Sequence, residues 1–298
     1  MSQRPHHPRR QLSSGQTSEL IVIDKNGENR QVIYETAALI EAPNWTADGK
    51  WLVYNSDGRL FKISPDGQDG PHRINTAPIE NLNNDHCLAP DGKKIFISAN
   101  DGHIYSVDID GGTPTKITNN HDAFRHYLHG VSPDGSHLIY IGIQRDGDDK
   151  MVSSIYSIPT TGGADTMLTD GKYFVDGCEY TPDGAWIYYN SEQAAQRAGH
   201  AQIFRMRPDG SDQQQITFDE RVNWFPHFPA NGSIIAYISF PKNTLGHPAD
   251  KHILIRTMDL NGKNIKTIDK FNGGQGSINV NSWAPDSTRL AYIAYPIG

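Results

Sequence analysis

Glu179–Ser191 reads EYTPDGAWIYYNS, and Gly130–Gly142 reads GVSPDGSHLIYIG. In both, an apolar residue (Tyr180, Val131) stands two positions before the proline of a Pro-Asp-Gly turn, and an alternating apolar run follows the turn. Proline presets φ for such a turn and glycine supplies the positive φ, so each stretch is a tight hairpin between two strands. The layout recurs at Asn44 (NWTADGKWLVYNS), Cys87 (CLAPDGKKIFISA), His227 (HFPANGSIIAYIS) and Ser282 (SWAPDSTRLAYIA), which makes six copies. Their last turn residues, Gly49, Gly92, Gly135, Gly184, Gly232 and Ser287, are separated by 43, 43, 49, 48 and 55 positions.

A second turn series lies between the copies: Asn26-Gly27, Asp66-Gly67, Gly111-Gly112, Gly162-Gly163, Asp209-Gly210 and Asn261-Gly262. Most follow strand-like runs such as LFKIS, SIYSI and QIFRM, so these too are hairpins. Each unit therefore holds four short strands at a period of roughly 40–50 residues, the signature of a propeller blade. The chain opens on a second hairpin only (ELIVIDKNGENRQVIY, from Glu19) and closes on a first hairpin only (NSWAPDSTRLAYIAY, from Asn281). The expected fold is all-β: a single six-bladed β-propeller over residues 18–298 with four-stranded antiparallel blades. Residues 18–36 should pair with residues 278–296, so that the N- and C-terminal strands close the sixth blade and remove the open sheet edges. Residues 1–17 are read as a flexible tail.

Composition limits the partners. A net charge of -7 gives no basic footprint, which excludes nucleic acid and argues against an anionic membrane surface. No stretch approaches the roughly 18 consecutive apolar residues of a membrane helix. The first twenty residues contain Arg4, Arg9 and Arg10 but no apolar run of a signal peptide, so a cytoplasmic location is expected. Cys87 and Cys178 lack metal or redox spacing and read as buried free thiols.

The copies centred on SPDG, TPDG and APDG resemble the PD-type repeats of the TolB-like propeller family across essentially all of residues 18–298. The same repeat resembles the propellers of prolyl oligopeptidases and, more loosely, those of oligogalacturonate lyases. A peptidase would need a nucleophile elbow, and no G-x-S-x-G is present. TolB itself carries a further N-terminal domain and an export signal, neither of which is read here, so the Tol role is not expected.

In a four-stranded meander the first and third connections share one face of the ring, and the second connection shares the other with the link between blades. The first face carries the short turns. The opposite face receives the long segments NNDH (83–86), FRHYLHG (124–130), YFVDGCE (173–179), NSEQAAQRAGHAQ (190–202), VNWFPH (222–227), FPKNTLGHPADKH (240–252) and FNGGQGSINVN (271–281). Long loops concentrate binding residues, which places the site at the funnel on that face.

Read as openers of the innermost strands, Asn44, His86, His129, Glu179, His227 and Asn281 should converge there, one from each blade. Such imidazoles, amides and a carboxylate suit a polyhydroxylated ligand, acid–base work or a divalent metal. Glu192, His247 and Gln275 are added as residues reaching the funnel, and Trp224 as a ring that stacks on a sugar.

Two functions follow as expectations. One is a binding module holding a small polar ligand, such as an oligosaccharide, or a segment of a partner protein. The other is a metal-assisted oligosaccharide lyase or hydrolase. The resemblance to oligogalacturonate lyase implies a metal on His86, His129, His227 and Gln275, with His129 or Arg125 as catalytic candidates next to a uronate.

Overall fold

The computed structural model describes residues 10–121, 124–145, 147–148 and 150–298. Five complete blades run inner to outer. The first is Ile40–Trp45, Leu52–Ser56, Arg59–Ile63 and His72–Ile74; the second is Leu82–Leu88, Lys94–Ala99, Ile104–Asp108 and Thr115–Lys116. The third is Phe124–Val131, His137–Arg145, Met151–Pro159 and Thr166–Met167, and the fourth is Val175–Tyr180, Ile187–Ser191, Gln202–Met206 and Gln214–Gln215. The fifth is Val222–His227, Ile235–Phe240, Lys251–Met258 and Lys266–Gly273.

The sixth blade is built from both ends of the chain. Ser18–Asp24 lies between Arg289–Ala294 and Gln31–Thr36, in antiparallel register from Glu19 opposite Ala294 to Asp24 opposite Arg289. Its innermost place is held by Trp283, which bridges Leu290, and by the Ala284 N–H donating to the Arg289 carbonyl at 2.9 Å. The expected closure is what the structure shows.

The short turns are fixed by their own side chains. Asp48, Asp91, Asp134, Asp183 and Asp286 each accept the backbone N–H two residues on at 2.9–3.1 Å, and Asn231 does the same in the fifth blade. That bond rigidifies the hairpin at the channel mouth. The second turn series meets the neighbouring blade. Gly67 and Gly262 lie so close to the carbonyls of Ile33 and Ile216 in the preceding blades that no Cβ would fit. Apolar clusters fill the space between adjacent sheets, as with Trp224, Phe240, Ile278 and Tyr292 between the fifth and sixth blades.

Of the segment read as a tail, residues 1–9 lie outside the described residues. Residues 10–17 are seated rather than loose. Gln16 is buried, bridges Ile297, and donates through Nε2 to Asp250 Oδ1 at 2.7 Å and to the Tyr295 carbonyl at 3.0 Å. These partners lie far away in sequence, so local composition carried no sign of them. Among the described residues no helix is long and apolar enough to cross a membrane. Both cysteines are free and buried, and burial pushes their thiols up.

Candidate functional site

The inner strands begin four or five residues upstream of the expected openers, at Ile40, Leu82, Phe124, Val175 and Val222. Each carries a bulge just before or at the residue taken for an opener: between Glu41 and Asn44, Leu82 and His86, Leu128 and Gly130, Asp176 and Glu179, and Trp224 and His227. A bulge inserts a residue and re-aims the side chains on either side of it. Positive φ at Ala42, Gly177 and Phe225 marks three of these bulges. Asn44, His86, Glu179 and His227 therefore stand at the closing ends of the inner strands, near the short turns. The residues upstream of the bulges face the long connections instead.

The inner strands at their bulges and the long connections together form a buried array. His129 Nε2 donates to Asp176 Oδ1 at 2.9 Å, and His247 Nε2 lies 3.4 Å from Asp176 Oδ2. The Nδ1 of His247 meets Gln275 Oε1 at 2.5 Å, and that oxygen also accepts from Asn279 Nδ2 at 3.1 Å. Trp224 is fully buried with its ring 4.5 Å from that of His247, and so props the imidazole. Burial, the largest single influence, opposes charge on both partners of the His129–Asp176 pair, but their mutual hydrogen bond and opposite charges, with His247 and Asp85 adding to them, together outweigh it. His129 is held above the ordinary histidine range and Asp176 below the usual carboxylate range.

Asp85 faces the same array. Burial pushes its carboxyl up to about 6, with the His129 charge opposing and the Asp176 charge reinforcing the shift. Nearer the long-connection face, burial also raises the Glu41 carboxyl, against the opposing charge of Arg10. A cavity of about 610 Å³ opens beside Glu41, lined by Asn55, Asn83, Asn84, Asn100, Gln275 and Arg10 among others.

The other mouth of the channel differs. A cavity of about 450 Å³ is rimmed there by the turn residues Ala47, Pro90, Pro133, Pro182, Ala230 and Pro285, with Asn44, His129, Glu179 and Asn281 deeper in. Glu179 is fully engaged. It takes His227 Nδ1 at 2.5 Å, the Phe228 N–H at 3.1 Å and Asn281 Nδ2 at 2.6 Å, while His227 Nε2 donates to the Ile278 carbonyl at 2.7 Å.

The expected residues thus fall into two groups. His129, His247 and Gln275 meet around Asp176; Glu179, His227 and Asn281 form a separate cluster toward the short turns. His86 belongs to neither. It is buried, its Nδ1 meets the Asn84 carbonyl at 3.2 Å, and burial lowers its pKa to about 4. Asn44 Nδ2 reaches only the His86 carbonyl, at 3.5 Å. Glu192 closes its own loop by accepting the Gly199 N–H at 3.1 Å and does not reach the funnel. Trp224 is packed among Phe174, Phe225 and His247, which removes the expected stacking surface for a sugar. Burial raises the pKa of the Tyr127 hydroxyl, and the neighbouring Arg125 charge opposes that rise.

The four residues considered for a metal do not converge, since both ring nitrogens of His227 are committed to Glu179 and Ile278 while Gln275 serves His247. Among the described residues no group of three or more His, Cys, Asp or Glu side chains is arranged to hold a metal ion. Sequence reasoning missed Glu41, Asp85, Asp176 and Asn84. All but Glu41 lie in the long segments singled out above, and the unrecognised bulges hid which of their side chains turn inward.

Comparison with known proteins agrees with this architecture. Residues 130–293 match the model of the TolB beta propeller domain. An uncharacterised protein of Agrobacterium fabrum is 38% identical over 282 residues, covering 93% of this chain and 92% of its own. A solved propeller from Agrobacterium tumefaciens, whose description as a TolB is itself provisional, superposes with a TM-score of 0.87 at 36% identity over 94% of this chain and 99% of its own. The Tol-Pal system protein TolB of Francisella tularensis is 24% identical over 91% of this chain, which spans only 60% of that protein. A manganese complex of oligogalacturonate lyase shares the fold alone, with a TM-score of 0.56 and 13% identity over 88% of this chain and 75% of its own.

Proposed function

The chain belongs to the TolB beta-propeller domain family, and from that membership we propose that it is a binding module whose funnel, on the face of the long connections, holds a polar segment of a partner protein. One observation carries the reading: the cavity of about 610 Å³ is lined by the amides of Asn55, Asn83, Asn84, Asn100 and Gln275 together with the Glu41 carboxylate. Each amide offers donor and acceptor on one side chain, which suits the alternating N–H and C=O groups of a peptide. Relatives named as Tol-Pal system proteins favour a protein over a metabolite as the occupant. The imidazoles nearest the axis are tied to Asp176 and Glu179, an arrangement that orients and charges the site rather than freeing a base.

The test is a peptide array probed with the protein. Binding should fall at least about tenfold in Asn84→Ala, as expected when a central polar contact is removed. Ala47→Arg, which crowds the opposite mouth, should leave it unchanged. Loss of binding in Ala47→Arg with none in Asn84→Ala would move the site to the other face and defeat the proposal.

A further inference from the structure

Arg10 lies on the funnel face like a bound ligand. Its guanidinium sits 4.0 Å over the ring of Tyr295, and its Nη1 donates to the Gln275 carbonyl at 2.5 Å. Glu41 Oε1 is 3.5 Å from Nη1, and Asp250 Oδ1 is 3.6 Å from Nη2. An aromatic face, two carboxylates and a carbonyl around one planar cation are the elements of an arginine-recognition pocket.

The fit is incomplete. Nε and Nη2 are buried without a hydrogen-bond partner, and both carboxylate contacts exceed the 2.7–2.9 Å of a strong charge-assisted bond. A buried donor left unmade weakens the occupant that carries it. Arg10 also precedes the sixth-blade strand, in a segment held by the packing of Leu12 and by Gln16 and Thr17, so its side chain can leave the pocket without unpairing the blade. The cavity beside it remains open, with Asn84 reaching the same Glu41 oxygen at 3.5 Å.

We propose that the Glu41–Tyr295–Gln275 pocket is an arginine subsite for a peptide partner, and that Arg10 occupies it in cis as a displaceable stand-in that lowers the affinity of the free protein. The proposal rests on the funnel-binding reading above and adds to it the side chain recognised and the means of regulation. The occupant is an arginine within an extended peptide, because the amides of Asn55, Asn83 and Asn84 continue the site beyond the guanidinium. Removal of Arg10 leaves Glu41 without its cation, and an incoming guanidinium restores one.

The experiment titrates the full chain with acetyl-Gly-Arg-Gly-amide, its citrulline counterpart and ethylguanidinium. Arg10→Gln should bind the arginine peptide about tenfold more tightly than the parent, the gain expected if the stand-in fills roughly nine-tenths of the parent molecules. The citrulline peptide should gain nothing, and Glu41→Gln added to Arg10→Gln should abolish the gain. Ethylguanidinium should gain by the same factor, because vacating the pocket helps any occupant equally, but it should bind more weakly than the peptide throughout. Ethylguanidinium binding as tightly as the arginine peptide would overturn the peptide assignment, and no gain or a weaker arginine complex would overturn the stand-in role. In the unmodified protein, NMR of the Arg10 Nε–H group supplies a second measurement. Its ring-shifted signal should move to the free position as the arginine peptide is added, and a signal that stays put refutes displacement even if Arg10→Gln does not fold. If these arms fail while array binding still depends on Asn84, the funnel reading stands alone. If Asn84 dependence is also absent, both fall.

Discussion

Asp85 is a residue the fold would be better without. Burial holds its carboxyl at about 6 against an ordinary 3.8, so the folded protein binds that proton more tightly than the unfolded chain does. Its contribution to stability is complete below about pH 4 and is lost as the pH rises through about 6. Asp85→Asn should therefore raise unfolding stability by about 1–3 kcal/mol at pH 7.5 and by almost nothing at pH 4, as followed by urea denaturation. An Asn variant less stable than the parent at pH 7.5 would show that the His129 imidazolium needs this charge more than burial penalises it. Ionisable groups kept at a cost to stability cluster at working sites, which agrees with the funnel site proposed above.

At the scale of the element, the hairpins were legible and the inner strands were not. Pro-Asp-Gly and Asn-Gly turns fix two connections per blade by local chemistry, so the short-turn face of the ring could be read directly from the sequence. The inner strands interrupt their alternation at a bulge, as at Gly177 between Asp176 and Glu179, and the interruption reads in sequence as a strand end. Glu179 and His227 were therefore assigned to the funnel on the long-connection face, and Asp176, which lies there, was passed over. His247 and Gln275, which meet in the structure, stand out in sequence because unusual loops are a visible signal, whereas the seat of Arg10 depends on Glu41, Asp250 and Tyr295, distant in sequence. The second turn series has a packing role that turn chemistry does not reveal. A Cβ on Gly262 would lie 2.1 Å from the Ile216 carbonyl, at a φ of +76. Gly262→Ala should cost about 2–4 kcal/mol, the sum of left-handed strain and displacement of the neighbouring blade. By contrast Gly246→Ala, with positive φ but open space around it, should cost about 1 kcal/mol in the same thermal denaturation. Equal losses at the two sites would rule out the inter-blade contact as the cause.

For the whole molecule the decisive contact is the one that joins the two ends. Leu20, Ile21, Val22 and Ile23 are each at most 5% exposed, and they divide between the cluster shared with the fifth blade and the cluster shared with the first. At about 2 kcal/mol for each buried aliphatic side chain, the strand supplies on the order of 8 kcal/mol, comparable to the 5–15 kcal/mol by which a whole domain is stable. Removing it also leaves Arg289–Ala294 with an unpaired edge. Residues 37–298 alone should accordingly lose cooperative unfolding and aggregate, as read by calorimetry and light scattering. The contact can be kept while the order of the chain is changed. Thr17 donates to the Pro296 carbonyl at 3.1 Å and Gly298 to the Gly15 carbonyl at 3.0 Å, so the two ends run side by side. A permutant carrying residues 10–36 behind Gly298 through a short glycine linker should melt cooperatively within a few degrees of the parent, since a flexible loop of that size adds little closure entropy. A fragment 37–298 that melts as sharply as the parent would mean that five blades suffice, and that the sixth serves the funnel rather than the fold.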